Sequence, residues 1–316
     1  MRTTLLALAM SMVAALPVRA EEMRLFTLGA GPVGGGYFAA ASAICATIHA
    51  LYPGHLRCSP DPSPGSVYNA TALQAGDLDF AIVQSDTQLF AVEGTGPFVG
   101  TSPDTALRSV LSLFPEPLTL LVRADSGIGG IEDLRGRSVN TGLRNSGTRT
   151  TVESLFDHLG LVPTDFAEVR GLATASAVEE LCAGRLDAMF VVVGHPNQIV
   201  GHAVTDCGAE FVPVTGREVR DFVTRNPQFS AGVIPRGVYP GLRRDVPTVS
   251  VTATLMTRAD MPPDVVLTVA AAIVGNLPEL NRRARVIPAE RSPGIGSDGL
   301  TAPLFDGVAA VLQAGP

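Results

Sequence analysis

Alternation of apolar and polar positions along the chain gives way repeatedly to stretches of a different period. Residues 24–28 read as a strand, residues 29–36 as a Gly-rich loop and residues 37–51 as a helix built mostly of small apolar side chains. A Pro- and Ser-rich loop over 59–64 follows, then Gly65-Ser66-Val67-Tyr68-Asn69 opening a short helix, and a strand over 80–83. Strand, loop and helix recur at 138–141, 142–147 and 148–159. This alternation predicts an α/β protein with a mostly parallel sheet and crossover helices.

The two copies share a local signature. Leu73-Gln74-Ala75-Gly76-Asp77-Leu78-Asp79 resembles Leu181-Cys182-Ala183-Gly184-Arg185-Leu186-Asp187, a helix ending at Gly followed by a Leu-Asp pair that leads into a buried strand. Two similarly built lobes account for the duplication. Long β-prone runs at 111–122 and 247–257 suit two crossings between them, which places residues 21–115 with 231–316 in lobe 1 and residues 116–230 in lobe 2. Such an arrangement closes about a hinge around a ligand.

Residues 1–20 carry Arg2, an apolar stretch over 5–16, Pro17 and then Val18-Arg19-Ala20, the pattern of a secretory signal peptide cleaved after Ala20. The apolar run is about 12 residues, short of the ~20 that a spanning helix needs, so a periplasmic protein is expected. Four cysteines in an exported chain then read as two disulfides, with Cys45–Cys58 and Cys182–Cys207 favoured as the nearest-neighbour pairs among three possible connectivities.

The formal charge of −7 becomes −9 once Arg2 and Arg19 leave with the signal, which disfavours nucleic acid as a partner. No lysine occurs in the chain. That excludes a phosphate-loop lysine, a Schiff-base lysine and a pyridoxal phosphate anchor together. No histidine pair has metal-ligand spacing and no Gly-x-Ser-x-Gly elbow is present, so no catalytic residue, metal or cofactor is expected.

Three loop-to-helix junctions are candidate seats for an anion: Gly34-Gly35-Gly36-Tyr37, Gly65 to Asn69, and Asn145-Ser146-Gly147-Thr148. Helix N-termini present unpaired N–H groups and partial positive charge, glycine admits a ligand to the backbone, and Ser, Thr or Asn adds a donor. Arg144 is a candidate carboxylate clamp beside the third junction. Gln84-Ser85-Asp86 follows a strand and faces the cleft, with Asp86 expected to orient a loop donor; His195, also after a strand, is a candidate ligand donor or a structural histidine.

These segments, with Phe114-Pro115-Glu116-Pro117-Leu118, Gly194-His195-Pro196-Asn197 and Tyr239-Pro240-Gly241, together resemble the TAXI family of extracytoplasmic solute receptors, over residues 24–262. These receptors serve tripartite ATP-independent periplasmic (TRAP) transporters. The resemblance implies a type II periplasmic binding protein fold, a monomer that captures glutamate, glutamine, 2-oxoglutarate or a related dicarboxylate, and a TRAP membrane permease as partner. It also implies a ligand shell of Gly34, Gly35, Tyr37, Ser66, Asn69, Gln84 and residues 145–148. A sensor presenting the same ligand to a membrane signalling protein uses the same surface, and an enzyme in the same cleft lacks an activated nucleophile.

Overall fold

Small residues let α1 lie close on the sheet, and that contact organises the first half of the chain. The computed structural model describes residues 23–290 and 296–314; the expected signal peptide, residues 1–20, lies outside the described residues. The first half runs β1 (Arg24–Gly29), α1 (Gly36–Leu51), β2 (Leu56–Asp61), α2 (Ser66–Ala75), β3 (Phe80–Gln84) and α3 (Ser85–Glu93), then a long β4 (Leu107–Val122). The second half runs β5 (Ser138–Asn140), α4 (Gly147–Leu159), β6 (Glu168–Arg170), α5 (Thr174–Cys182), β7 (Ala188–Val192), α6 (Gln198–Cys207), β8 (Glu210–Val212) and α7 (Arg217–Arg225). After β9 (Ser230–Ile234) and a long β10 (Val246–Arg258), the chain ends in α8 (Pro263–Val274), α9 (Leu277–Arg283) and α10 (Val308–Ala314).

Parallel pairing follows the duplicated pattern. β1 lies between β2 and β3, and β5 lies between β6 and β7, all parallel. The repeated Leu-Asp signature has a physical basis in this arrangement. Asp79 accepts hydrogen bonds from the Thr27 backbone N–H at 2.8 Å and hydroxyl at 3.1 Å, and Asp187 accepts the same two from Ser138 at 2.9 and 2.8 Å. In each half the threonine or serine hydroxyl accepts in return from the aspartate N–H. A carboxylate on the residue just before one strand thus ties that strand to its parallel neighbour, twice, through the same set of bonds.

β4 and β10 are the elements common to both halves. They pair antiparallel from Leu107 opposite Arg258 to Pro117 opposite Ser250, with Glu116 opposite Val251. Beyond Pro117, β4 pairs instead with β7 and β8, over Leu118–Val122. Phe80, Phe114, Ile44, Ile48 and Val266 belong to the core on the first side, where α1, α8 and α9 cover the sheet. Leu155, Phe190 and Phe222 centre a second core, and Val178, Met189 and Tyr239 a third. Ile234, Tyr239 and Val246 pack in that third core, and Val249 and Val251 in the second. The fold is therefore α/β with two lobes, as the pattern predicts.

One expectation is corrected here. Residues 59–61 belong to β2 and not to a loop. Among the described residues β2 pairs only with β1, and an edge strand tolerates Pro60, which has no N–H to donate. The two disulfides join Cys45 to Cys58 and Cys182 to Cys207, with Cα atoms 5.1 Å apart in each. The first ties α1 to the edge strand, and the second ties the end of α5 to the end of α6. Loop closure over 25 residues predicts that the double variant Cys182→Ser/Cys207→Ser loses about 3 kcal/mol. Urea denaturation under non-reducing conditions checks this; an unchanged midpoint would count against it. Among the described residues no single helix is long and apolar enough to cross a membrane.

Candidate functional site

Within each half the βα units end their strands at one edge, and because β1–β3 and β5–β7 run in opposite senses on either side of β4 and β10, the helices that follow start at edges that face each other across the gap between the halves. The result is a cavity of about 180 Å³ lined from both halves. Five helix N-termini meet in it: Gly35 to Tyr37 of α1, Gly65 and Ser66 of α2, Ser146 to Thr148 of α4, Ala173 to Ala175 at α5, and Asn197 with Ile199 at α6. Val191 to Val193, at and beyond the end of β7, form an apolar wall.

Two of these helices are closed by their own side chains. Ser146 Oγ accepts from Arg149 N at 3.2 Å, and Asn197 Oδ1 accepts from Ile199 N and Val200 N at 3.0 and 3.1 Å. The other three, α1, α2 and α5, begin at Gly35, Gly65 and Ala173 with no side-chain cap. Their first-turn N–H groups are left for something else to satisfy, which is the arrangement that holds carboxylates and phosphates. Gly65 adopts φ 121°, a backbone conformation open to glycine, and this brings the start of α2 up to Ser146 and Gly147 of α4.

Charge at the base of the cavity is of the opposite kind. Glu116 lies there with 2 % of its surface exposed. Its Oε2 accepts from the Tyr37 hydroxyl at 2.7 Å, and that hydroxyl is 3.3 Å from Ser66 Oγ. Burial pushes Glu116 up to about 8 against the hydrogen bond from Tyr37; the negative charge of Asp86 pushes it further and hydrogen bonding from Gln84 opposes it. Burial likewise holds Tyr37 well above its ordinary value, with Glu116 adding to the effect. The Gln84 carboxamide packs against the Cα of Gly147, and its Oε1 is buried with no hydrogen-bond partner among the described residues. No Arg or His is among the described residues that line the cavity.

Asp86 stands just behind this floor, fully buried, and accepts from Thr87 N at 2.6 Å, Thr87 Oγ1 at 3.2 Å and Thr151 Oγ1 at 2.6 Å. Thr151 is on α4, so this bond joins the two halves beside the cavity, as does the bond from Ser85 Oγ to the Gln228 carbonyl at 2.8 Å. Burial pushes Asp86 up to about 6, opposed first by the Thr151 hydrogen bond.

Of the residues singled out in the sequence, Gly35, Tyr37, Ser66, Gln84, Ser146, Gly147 and Thr148 line the cavity. The remaining five do not. Arg144 and Asn145 are exposed on the loop before α4, where Asn145 takes φ 64° to turn the chain into the helix, a conformation Asn tolerates. Gly34 lies at the turn before α1, also at positive φ. Asn69 is structural: its Nδ2 donates to the Ala30 and Ile82 carbonyls and its Oδ1 accepts from Ser63, which fixes the loops around β1 and β3. His195 is held between Tyr239 OH at 2.6 Å and Thr119 Oγ1 at 2.9 Å, and burial lowers it to about 4, so it remains neutral.

Two features went unread in the sequence. The N-terminus of α5 carries Ala and Thr with no glycine, so nothing marked it. Glu116 did have a signal: it is the one acid in residues 107–122, a run otherwise apolar enough to be buried, and it stands between two prolines.

A family model for the NMT1-like family matches residues 28–313. Among solved structures, the chain is similar to a protein from Bordetella bronchiseptica RB50, at 17 % identity over 93 % of this chain and 89 % of that one, with a TM-score of 0.55. It is similar to the periplasmic binding protein BugD at 12 % identity, over 92 % and 93 %, with a TM-score of 0.56. The periplasmic aliphatic sulphonate binding protein SsuA from Escherichia coli matches at 17 % identity over 92 % and 84 %, with a TM-score of 0.49. At 17 % and 12 % identity the likeness to the first two is one of fold alone.

Proposed function

This chain belongs to the NMT1-like family, and from that premise we propose that it is a periplasmic solute-binding receptor for a small organic carboxylate and not an enzyme. The observation that carries the reading is the convergence of α1, α2 and α5, uncapped, on one small cavity shared by the two halves. Charge-assisted hydrogen bonds to such N–H groups contribute about 1.5–3 kcal/mol each. A handful of them reaches the roughly 8 kcal/mol of micromolar binding after ordering costs are subtracted, with no metal. The hydroxyls nearest the cavity serve structure: Ser146 caps its helix, Thr148 Oγ1 accepts from Val192 N, and Ser66 Oγ accepts from Gln84 N. None of these three is hydrogen-bonded to a histidine or a carboxylate, which supports binding without turnover.

The shell of this site is Gly35, Tyr37, Ser66, Gln84, Glu116 and Ser146 to Thr148. The lobes meet at Pro117 in β4 and within β10 after Val251, so residues 231–251 ride with the second lobe, whose cores they complete. The resemblance to TAXI receptors supports a TRAP permease as the acceptor of the closed, loaded protein. The test is a thermal-shift screen of mature protein stripped of copurified solute, against carboxylates, sugars and nucleotides. A carboxylate at 100 times its dissociation constant adds about 2.7 kcal/mol, a plain upward shift. A response confined to sugars or nucleotides would overturn the ligand class.

A further inference from the structure

The cavity offers a seat for one anion, and the rest of its lining is mostly hydrocarbon. The uncapped starts of α1, α2 and α5 supply N–H donors for a carboxylate. The same space is bounded by Val191, Val192 and Val193 at and beyond the end of β7, by Ile199 in the first turn of α6, and by Val33 and Leu143 from the loops before α1 and α4. Val193 closes on the start of α1, its Cγ2 3.9 Å from the place a Cβ on Gly36 would take. At about 180 Å³ the cavity far exceeds the ~15 Å³ that a single water needs, so a body of several carbons fits.

Resting on the receptor reading, we propose that the solute is a monocarboxylate with an apolar body, its carboxylate on the helix N-termini and its hydrocarbon end against Val191 to Val193 and Ile199, and that the site discriminates against dicarboxylates of the same length. This narrows the carboxylate class and departs from the dicarboxylates that the resemblance to TAXI receptors implies.

The discrimination comes from what the lining lacks. No Arg or His is among the described residues that line the cavity, and Glu116 is the one carboxyl among them. Burial pushes Glu116 up to about 8, so at pH 7 it is largely protonated and the lining is close to neutral. Protonated, Glu116 is a neutral donor; ionised, it repels an anion. Neither form supplies the positive charge that a second carboxylate needs, and the buried group behind it, Asp86, is another acid. A second carboxylate carried into this space gives up its water for hydrocarbon and neutral donors, whereas an alkyl group in the same place buries apolar surface and leaves no charge unpaired. The charged rival is thus excluded by being left without a partner.

Exchanging a terminal carboxylate for an isopropyl group keeps the number and branching of heavy atoms and removes the charge. Isothermal titration of solute-stripped protein at pH 7 with such matched pairs tests the inference, using 4-methylpentanoate with succinate, 5-methylhexanoate with glutarate, 5-methyl-2-oxohexanoate with 2-oxoglutarate, and L-2-amino-5-methylhexanoate with L-glutamate. The expected result is that in at least one pair the apolar member binds a hundredfold or more tighter, with the negative heat-capacity change of buried hydrocarbon. Val193→Thr, which puts a hydroxyl in place of a methyl at nearly the same volume, weakens that member several-fold and leaves its dicarboxylate partner unchanged, so the ratio narrows. The comparison of pairs on the unsubstituted protein stands even if that variant folds poorly. A dicarboxylate that binds as tightly as its apolar partner overturns the inference and leaves the receptor reading standing. A folded Val193→Thr variant with the unsubstituted ratio overturns the placement of the hydrocarbon end. Silence toward every pair overturns both the inference and the receptor reading.

Discussion

Gly147→Ala is expected to remove solute binding, raising Kd by a hundredfold or more. A Cβ built on Gly147 falls 1.7 Å from Gln84 Oε1, 2.4 Å from its Cδ and 2.9 Å from Ser66 Oγ. Such distances are impossible, so either Gln84 leaves the floor of the cavity or α4 backs away from α2 and α3. Both outcomes dismantle the site, one by displacing a contact and the other by keeping the lobes apart. The backbone itself is undemanding, since Gly147 is an ordinary first residue of α4 without a positive φ. The stability cost is therefore that of local overpacking, about 1–3 kcal/mol. Calorimetric titration alongside urea denaturation checks the pair of effects, and near-normal affinity in a folded variant would mean that Gly147 and Gln84 do not meet in the bound state.

The second large effect is on stability and runs against the usual direction for carboxyl groups. Glu116 and Asp86 both bind their protons more tightly in the folded chain, at about 8 and about 6, than in the unfolded one, near 4.5 and 3.8. Their contribution to stability is complete below the unfolded values and is lost as pH rises, through about 6 for Asp86 and through about 8 for Glu116. Each tenfold gain in proton affinity on folding corresponds to about 1.4 kcal/mol, so ionising Glu116 in the empty site costs on the order of 5 kcal/mol. Ligand-free protein is thus expected to have a markedly lower urea midpoint at pH 8.5 than at pH 5, and Glu116→Gln removes most of the difference. A profile unchanged by that substitution would show that Glu116 is solvated in the free protein.

Much of the architecture was legible because it rests on local rules. The strand-loop-helix alternation marked α1, β3 and α4 to within a residue or two, and the long apolar runs marked β4 and β10. The Leu-Asp repeat was visible as letters, although its purpose, an aspartate bridging to Thr27 in one half and Ser138 in the other, needed three dimensions. β2 was hidden by Pro60, a residue that argues against strands everywhere except at an edge, and edge position is a tertiary property. The site was legible where chemistry is written into the turn, as at Ser146-Gly147-Thr148. It was misjudged where charge alone was used as a guide. Arg144, the cation next to the junction, projects outward, while Glu116, an acid that an anion site should avoid, forms the floor. Asn69, a polar residue in a promising segment, is occupied in holding two loops together.

The position of Glu116 between Pro115 and Pro117 has a mechanical consequence. Neither proline has an N–H to give, so β4 donates no backbone hydrogen bond at the rungs opposite Ser250 and Thr252, just where β4 passes from one partner set to the next. A two-strand ribbon flexes at its slackest rung. Were the two halves to turn about this ribbon, the axle would run through Glu116, and a point on an axle moves least. In such a closure Glu116 would keep its station as a fixed anvil at the bottom of the gap, while the helix ends of α2 and α4 that line the same cavity moved relative to each other.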